Sequence, residues 1–69
     1  SIDISPDGER FVAADNMQKR LTVYRSEDGR ALATFDDALA PAFFSADGND
    51  LYSLTTDGRV RILHGADRH

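Results

Sequence analysis

The chain has 69 residues, of which 41% are hydrophobic, and a net charge of −4. A chain of this length supports one small domain, whose own hydrophobic core is marginal without further stabilisation. The negative charge argues against a nucleic-acid partner, since phosphate binding requires clustered lysine and arginine, and no apolar run or signal peptide suggests a membrane partner.

The first half of the chain predicts short strands separated by turns. Alternating apolar and polar residues predict strands at residues 1–5, 10–14, 20–25 and 30–35. In the turn Ser5-Pro6-Asp7-Gly8, proline pre-sets φ and glycine can adopt a positive φ, which closes a hairpin. Residues 15–19 are predicted to form a loop, and residues 26–29 a second turn that ends in glycine.

The second half predicts the same plan, with strands at residues 41–44, 50–55 and 59–63. Pro41 is expected to begin its strand, because proline cannot donate a ladder hydrogen bond. Thr56-Asp57-Gly58-Arg59 is predicted to form a two-residue type I′ hairpin turn, which Asp-Gly favours. Residues 65–69 are expected to form the next turn, and no helix is predicted.

A repeat is the most informative pattern in the chain. Ser5-Pro6-Asp7-Gly8 returns as Ser45-Ala46-Asp47-Gly48, 40 positions later. The hydrophobic positions stay in phase on both sides of a slip of one residue, with a spacing of 40 before it and 39 after it. The matched pairs are Ile4 with Phe44, Phe11 with Leu51, Val12 with Tyr52, Arg20 with Arg59, Leu21 with Val60, Val23 with Ile62, and Tyr24 with Leu63.

This period predicts units of about four short strands that need neighbours for stability. We therefore expect an all-β fold with two antiparallel four-stranded β-propeller blades, at residues 1–36 and 40–69, as part of a larger propeller. The second blade lacks its outer strand. We interpret this end, and the start without methionine, either as a cut at the ring closure or as an arbitrary segment of a longer protein.

Two blades leave two apolar faces without a neighbour, so further blades are expected as partners, in the same chain or in a homo-oligomer. Three copies would supply six blades, within the usual range of about 4–8. The chain has no cysteine, which suits cytosol and periplasm alike, with the cytoplasm slightly favoured.

Three segments resemble the WD40 and WD40-like (YVTN or TolB-type) β-propeller repeats: residues 5–8, 28–32 and 56–60. The resemblance covers both repeats and implies a rigid ring whose loops bind a protein or peptide partner. The Trp-Asp pair of the family would fall at Tyr24-Arg25 and Leu63-His64, and neither copy has it. Only Asp57 and Ser53 match members of the family's buried hydrogen-bond network.

The resemblance also implies a partner-binding surface, because the loops of one propeller face commonly carry it. The residues expected there are Asn16, Met17, Gln18, Lys19, Asp36, Asp37, Leu39 and Asp57. Met17 is the most distinctive, since an apolar, adaptable side chain at a loop tip suits a contact point. Ordinary loop variation explains it equally well.

No residue pattern predicts catalysis, a metal or a cofactor. His64 and His69, with Asp67 between them, have no further ligand at a suitable spacing and are interpreted as a solvated tail. A calcium loop that begins at Asp47 is excluded, because Leu51 and Tyr52 occupy its fifth and sixth positions. The hydroxyls of Ser5 and Ser45 are expected to cap nearby amides.

Three functions remain open. The favoured one is a protein interaction or scaffolding module. The second is a segment of a propeller enzyme, lactonase-like or quinoprotein-like, for which Asp3 is the only channel-lining candidate in this stretch. The third is a structural unit that closes a ring by self-association.

Overall fold

The computed structural model describes residues 2–64 and is all-β, as predicted. The strands are β1 (Ile2–Ile4), β2 (Arg10–Asp15), β3 (Arg20–Arg25), β4 (Ala31–Asp36), β5 (Leu39–Phe44), β6 (Asp50–Leu54) and β7 (Val60–His64). Strands β1 to β4 form a four-stranded sheet and β5 to β7 a three-stranded sheet, each antiparallel and in chain order. No helix capable of crossing a membrane occurs among these residues.

The strands lie within two residues of their predicted limits, and the largest difference is at β5. This strand begins at Leu39, so Pro41 lies inside it. The prediction that Pro41 begins the strand is wrong. The register between β5 and β6 is irregular between Leu39 and Ala42, and the Ala40–Pro41 peptide bond is cis. A proline is tolerated there because an irregular register does not require its missing N–H.

The prediction of a type I′ turn between β6 and β7 is wrong. That turn requires a positive φ at both central residues, whereas φ is positive at Gly58 (86°) but not at Asp57. Gly58 N donates to Thr55 O at 3.1 Å, and Thr55 N donates to Arg59 O at 2.8 Å. Glycine therefore closes a three-residue loop, which is a common alternative for hairpins.

The two Ser-x-Asp-Gly turns have the same internal hydrogen bonds, as the repeat predicts. Ser5 Oγ donates to Asp7 at 2.6 Å and accepts from Arg10 N at 3.1 Å. The turn at Ser45 has the same two bonds at the same distances. The Ser5 hydroxyl and the Glu9 amide together hold the pKa of Asp7 below its ordinary value. The predicted capping role of both serines is confirmed.

The two sheets pack face to face around a shared core. Strand β5 lies against β1 and β2. The buried hydrophobic cluster consists of Val12, Leu21, Val23, Ala38, Ala42, Leu51 and Leu63. Because side chains alternate along a strand, one face of each sheet supplies this core, and the opposite face of each sheet is left outside it.

Candidate functional site

The loop between β2 and β3 has a fixed backbone and an exposed tip. Asp15 Oδ1 accepts hydrogen bonds from the backbone N of Met17 at 3.0 Å and of Gln18 at 3.2 Å. The loop ends at Lys19, whose φ is 56°. The Met17 side chain is 94% exposed. A rigid turn therefore presents an apolar side chain to solvent.

This loop also holds the chain segment that leads into the second sheet. Asn16 Oδ1 accepts from Ala40 N at 2.8 Å, and Lys19 O accepts from Ala38 N at 3.1 Å. An edge strand presents unpaired backbone groups. Here Asn16 accepts from one such group of β5, at Ala40, and Lys19 accepts from Ala38, which precedes β5. Asn16 is thus a structural link between the sheets as well as a predicted contact residue.

The connection between β4 and β5 is bonded in turn to the β6–β7 hairpin. Asp37, whose φ is 54°, accepts at Oδ1 from Thr56 N at 3.1 Å and from Thr56 Oγ1 at 2.7 Å. The Thr56 hydroxyl is the main cause of a lowered pKa at Asp37, with smaller contributions from the charges of Arg61 and Lys19. Arg61 Nη1 also donates to Asp36 O at 2.9 Å.

These three loops lie together, and we call residues 15–20, 36–40 and 55–61 the loop end. It includes all eight predicted contact residues, but some of their side chains already have partners within the protein and others are exposed. Asp36 pairs with Arg20 at 3.1 Å, Asp57 accepts from the Thr55 hydroxyl, and Leu39 is half-buried. Met17 and Gln18 present exposed side chains beyond this bonded frame.

Asp15 and Thr56 order the loop end, and neither role was predicted from the sequence. An aspartate at the start of a loop commonly accepts a hydrogen bond from the backbone N–H two residues on, in an Asx turn. The role of Asp15 could therefore have been predicted. Thr56 could not, because its partner Asp37 is 19 residues away in the chain. Only the packing of the two sheets brings these two side chains together.

The opposite end of the molecule contains an open groove of about 750 Å³, which the sequence did not suggest. Acidic and basic side chains both line it, among them Glu9, Glu27 and Arg25. Arg25 pairs there with Asp28 at 2.5 Å and lowers the pKa of that carboxyl to about 2. Since the charges are already paired or of mixed sign, the groove favours no particular ligand.

The candidates for catalysis or metal binding have structural partners. Asp3 Oδ2 accepts from Phe44 N at 2.9 Å, so this carboxylate connects β1 to β5. His64 had been predicted to belong to a solvated tail, but it lies in β7, with Nδ1 3.1 Å from Asp50 Oδ1. Within residues 2–64, no three His, Cys, Asp or Glu side chains are grouped as a metal site. His69 and Asp67 lie outside the described residues.

The structure defines an all-β protein in which two antiparallel sheets pack face to face and three loops are joined at one end. No protein-family model matches the chain, and a search of curated proteins finds no similar sequence. The resemblance to WD40-like repeats therefore stays a prediction that rests on the turn motifs.

Replacing Thr56 with valine is expected to raise the pKa of Asp37 toward its ordinary value, because it removes the hydroxyl that stabilises the carboxylate. A lowered folded-state pKa stabilises the fold above the unfolded pKa, and this contribution is lost as the pH falls through the folded value. The variant should therefore lose less stability on acidification than the wild type. Carboxyl NMR titration of Asp37 measures the shift directly.

Thr22→Val is a suitable control, because the Thr22 hydroxyl lies 3.4 Å from that of Thr34, and both residues belong to the four-stranded sheet rather than to the β6–β7 hairpin. It should leave the Asp37 titration unchanged. An Asp37 pKa that is equal in the wild type and Thr56→Val would contradict the proposed hydrogen bond.

Proposed function

We propose that this chain is an interaction module in which two β-propeller blades present the loop end to a protein or peptide partner. The single observation that carries the proposal is the Met17 side chain, 94% exposed on a loop whose backbone is fixed. Function in such a module resides in loops placed on a stable scaffold.

The order of the loop end supports binding because an ordered loop loses little conformational entropy when a partner docks. Asp15 fixes the loop from within, and Asn16 ties it to the second sheet through Ala40. The loop can thus keep its shape while Met17 and Gln18 make new contacts.

The chemistry of the loop end suggests the kind of partner. Met17 offers a flexible apolar contact that adapts to an apolar side chain. Around it, the side-chain charges are of both signs, and Arg20 pairs with Asp36. A peptide with an apolar anchor and polar flanks fits this surface better than a strongly charged polymer does.

The proposal is tested by selecting peptides from a phage-displayed random library on the immobilised wild-type chain. The selected peptides are then titrated against Met17→Ser by fluorescence anisotropy. We expect binding to weaken by about tenfold or more, since a central apolar contact carries much of the energy of a small interface. Glu27→Ala, an exposed change at the opposite end, should have no effect.

Peptides that bind Met17→Ser as tightly as the wild type would contradict the proposal. They would have found another surface, such as the outer face of a sheet.

A further inference from the structure

The strand register shows that the two sheets meet through opposite faces of the repeat. In the second sheet, the cross-strand row Phe44–Leu51–Leu63 belongs to the face that packs on the first sheet. The equivalent row in the first repeat, Ile4–Phe11–Tyr24, lies on the face of the first sheet that points away from the core.

The same inversion holds for the other face. Leu21 and Val23 are fully buried in the interface between the sheets. Their repeat equivalents in the second sheet, Val60 and Ile62, are 69% and 49% exposed. Val12 is buried in the same way, whereas its equivalent Tyr52 is 39% exposed.

Each sheet therefore keeps one apolar face outside the core. We call the face with Ile2, Ile4, Phe11 and Tyr24 the first free face, and the face with Phe43, Tyr52, Val60 and Ile62 the second free face. Ile2 and Ile4 are 69% and 62% exposed, and the rings of Phe11 and Tyr24 stack at 5.1 Å. These two free faces correspond by repeat position to the two sides of the interface that the chain already contains.

We propose that the first free face binds the second free face of another copy of this chain, head to tail. A second copy is the partner that fits, because every copy carries both sides of an interface whose geometry is already present within it. Such an interface is heterologous, so association continues beyond a dimer until a ring closes or a filament forms.

Two polar contacts across the internal interface, those of Arg10 and Asp3, have no equivalent at the free faces. Arg10 donates to Gly48 O and lies 5.3 Å over the Phe44 ring, but the position equivalent to Arg10 in the second repeat is Asp50. Asp3 is likewise replaced by Phe43. Because the free faces lack these two contacts, we expect an association weaker than the internal interface, reversible and dependent on concentration.

Sedimentation velocity over a concentration series tests the proposal with three variants of the chain. Ile4→Lys blocks the first free face, and Ile62→Lys blocks the second, since both side chains are exposed and a lysine there must be desolvated on docking. Ser26→Lys adds the same charge in the exposed turn between β3 and β4, outside both free faces, and serves as the control.

We expect the wild type and Ser26→Lys to associate beyond a dimer as the concentration rises, and each single-face variant to stay monomeric. A mixture of Ile4→Lys and Ile62→Lys should form a species of twice the monomer mass and nothing larger, because each variant retains the face that the other lacks. This dimer also shows that both variants are folded.

A wild type that is monomeric at every concentration overturns the proposal, as does a mixture that stays monomeric although far-UV circular dichroism shows both variants to be β-rich. Self-association of either single variant overturns the head-to-tail arrangement, because it requires like faces to meet. None of these results depends on Met17, so the proposed peptide site is tested separately.

Discussion

Leu21→Ala is expected to remove most of the stability of the chain, whereas Val60→Ala, at the equivalent repeat position, is expected to remove little. Leu21 is fully buried between the sheets, and Val60 is 69% exposed. Truncating a buried leucine costs about 2–5 kcal/mol, through lost burial and the cavity that remains. A domain of this size has a free energy of unfolding of roughly 3–10 kcal/mol, so the loss at Leu21 can unfold a large fraction of the molecules.

Urea unfolding followed by circular dichroism measures both losses, at a concentration low enough to keep the chain monomeric. For Val60→Ala we expect less than about 1 kcal/mol, the range of strand propensity at exposed positions. Equal losses at Leu21 and Val60 under these conditions would contradict the inverted packing of the two repeats. Equal losses only at high concentration would indicate that another copy covers Val60.

Asp3→Ala is expected to loosen the contact between the sheets. Asp3 accepts from Phe44 N at 2.9 Å in a partly buried position. Removing an acceptor from a buried N–H costs about 1–3 kcal/mol, because that group no longer has either water or a partner. The expected result is a lower urea midpoint together with faster hydrogen exchange at the Phe44 amide.

Asp3→Asn provides the matched control for this experiment. Its side-chain oxygen still accepts from Phe44 N, so most of the amide protection and stability should return. If Asp3→Ala left the exchange of the Phe44 amide unchanged, the role of Asp3 as a link between the sheets would be wrong.

The strands were predictable from sequence because alternation of apolar and polar residues is a local signal. The Ser5 and Ser45 turns were also predictable, since serine, aspartate and glycine complete their hydrogen bonds within five residues. The loop at Gly58 was not, because Asp-Gly suits more than one hairpin type and the choice depends on how β6 and β7 meet.

The candidate site was only partly predictable. The sequence placed Met17 at an exposed loop tip, and the structure confirms this position. The sequence could not show that Asn16 and Asp37 form hydrogen bonds that stabilise the fold, since their partners Ala40 and Thr56 are 24 and 19 residues away. A polar loop residue looks the same in sequence whether it contacts solvent or a distant amide.

The sequence by itself determined the all-β class, the repeat and its hydrophobic register, because these follow from the local alternation and spacing of side chains. Only the tertiary structure decided which face of each repeat is buried. Leu21 and Val60 occupy equivalent apolar positions, yet one is enclosed and the other exposed. Alternation identifies the two faces of a strand, but the neighbouring sheet that packs on one of them decides which face is buried.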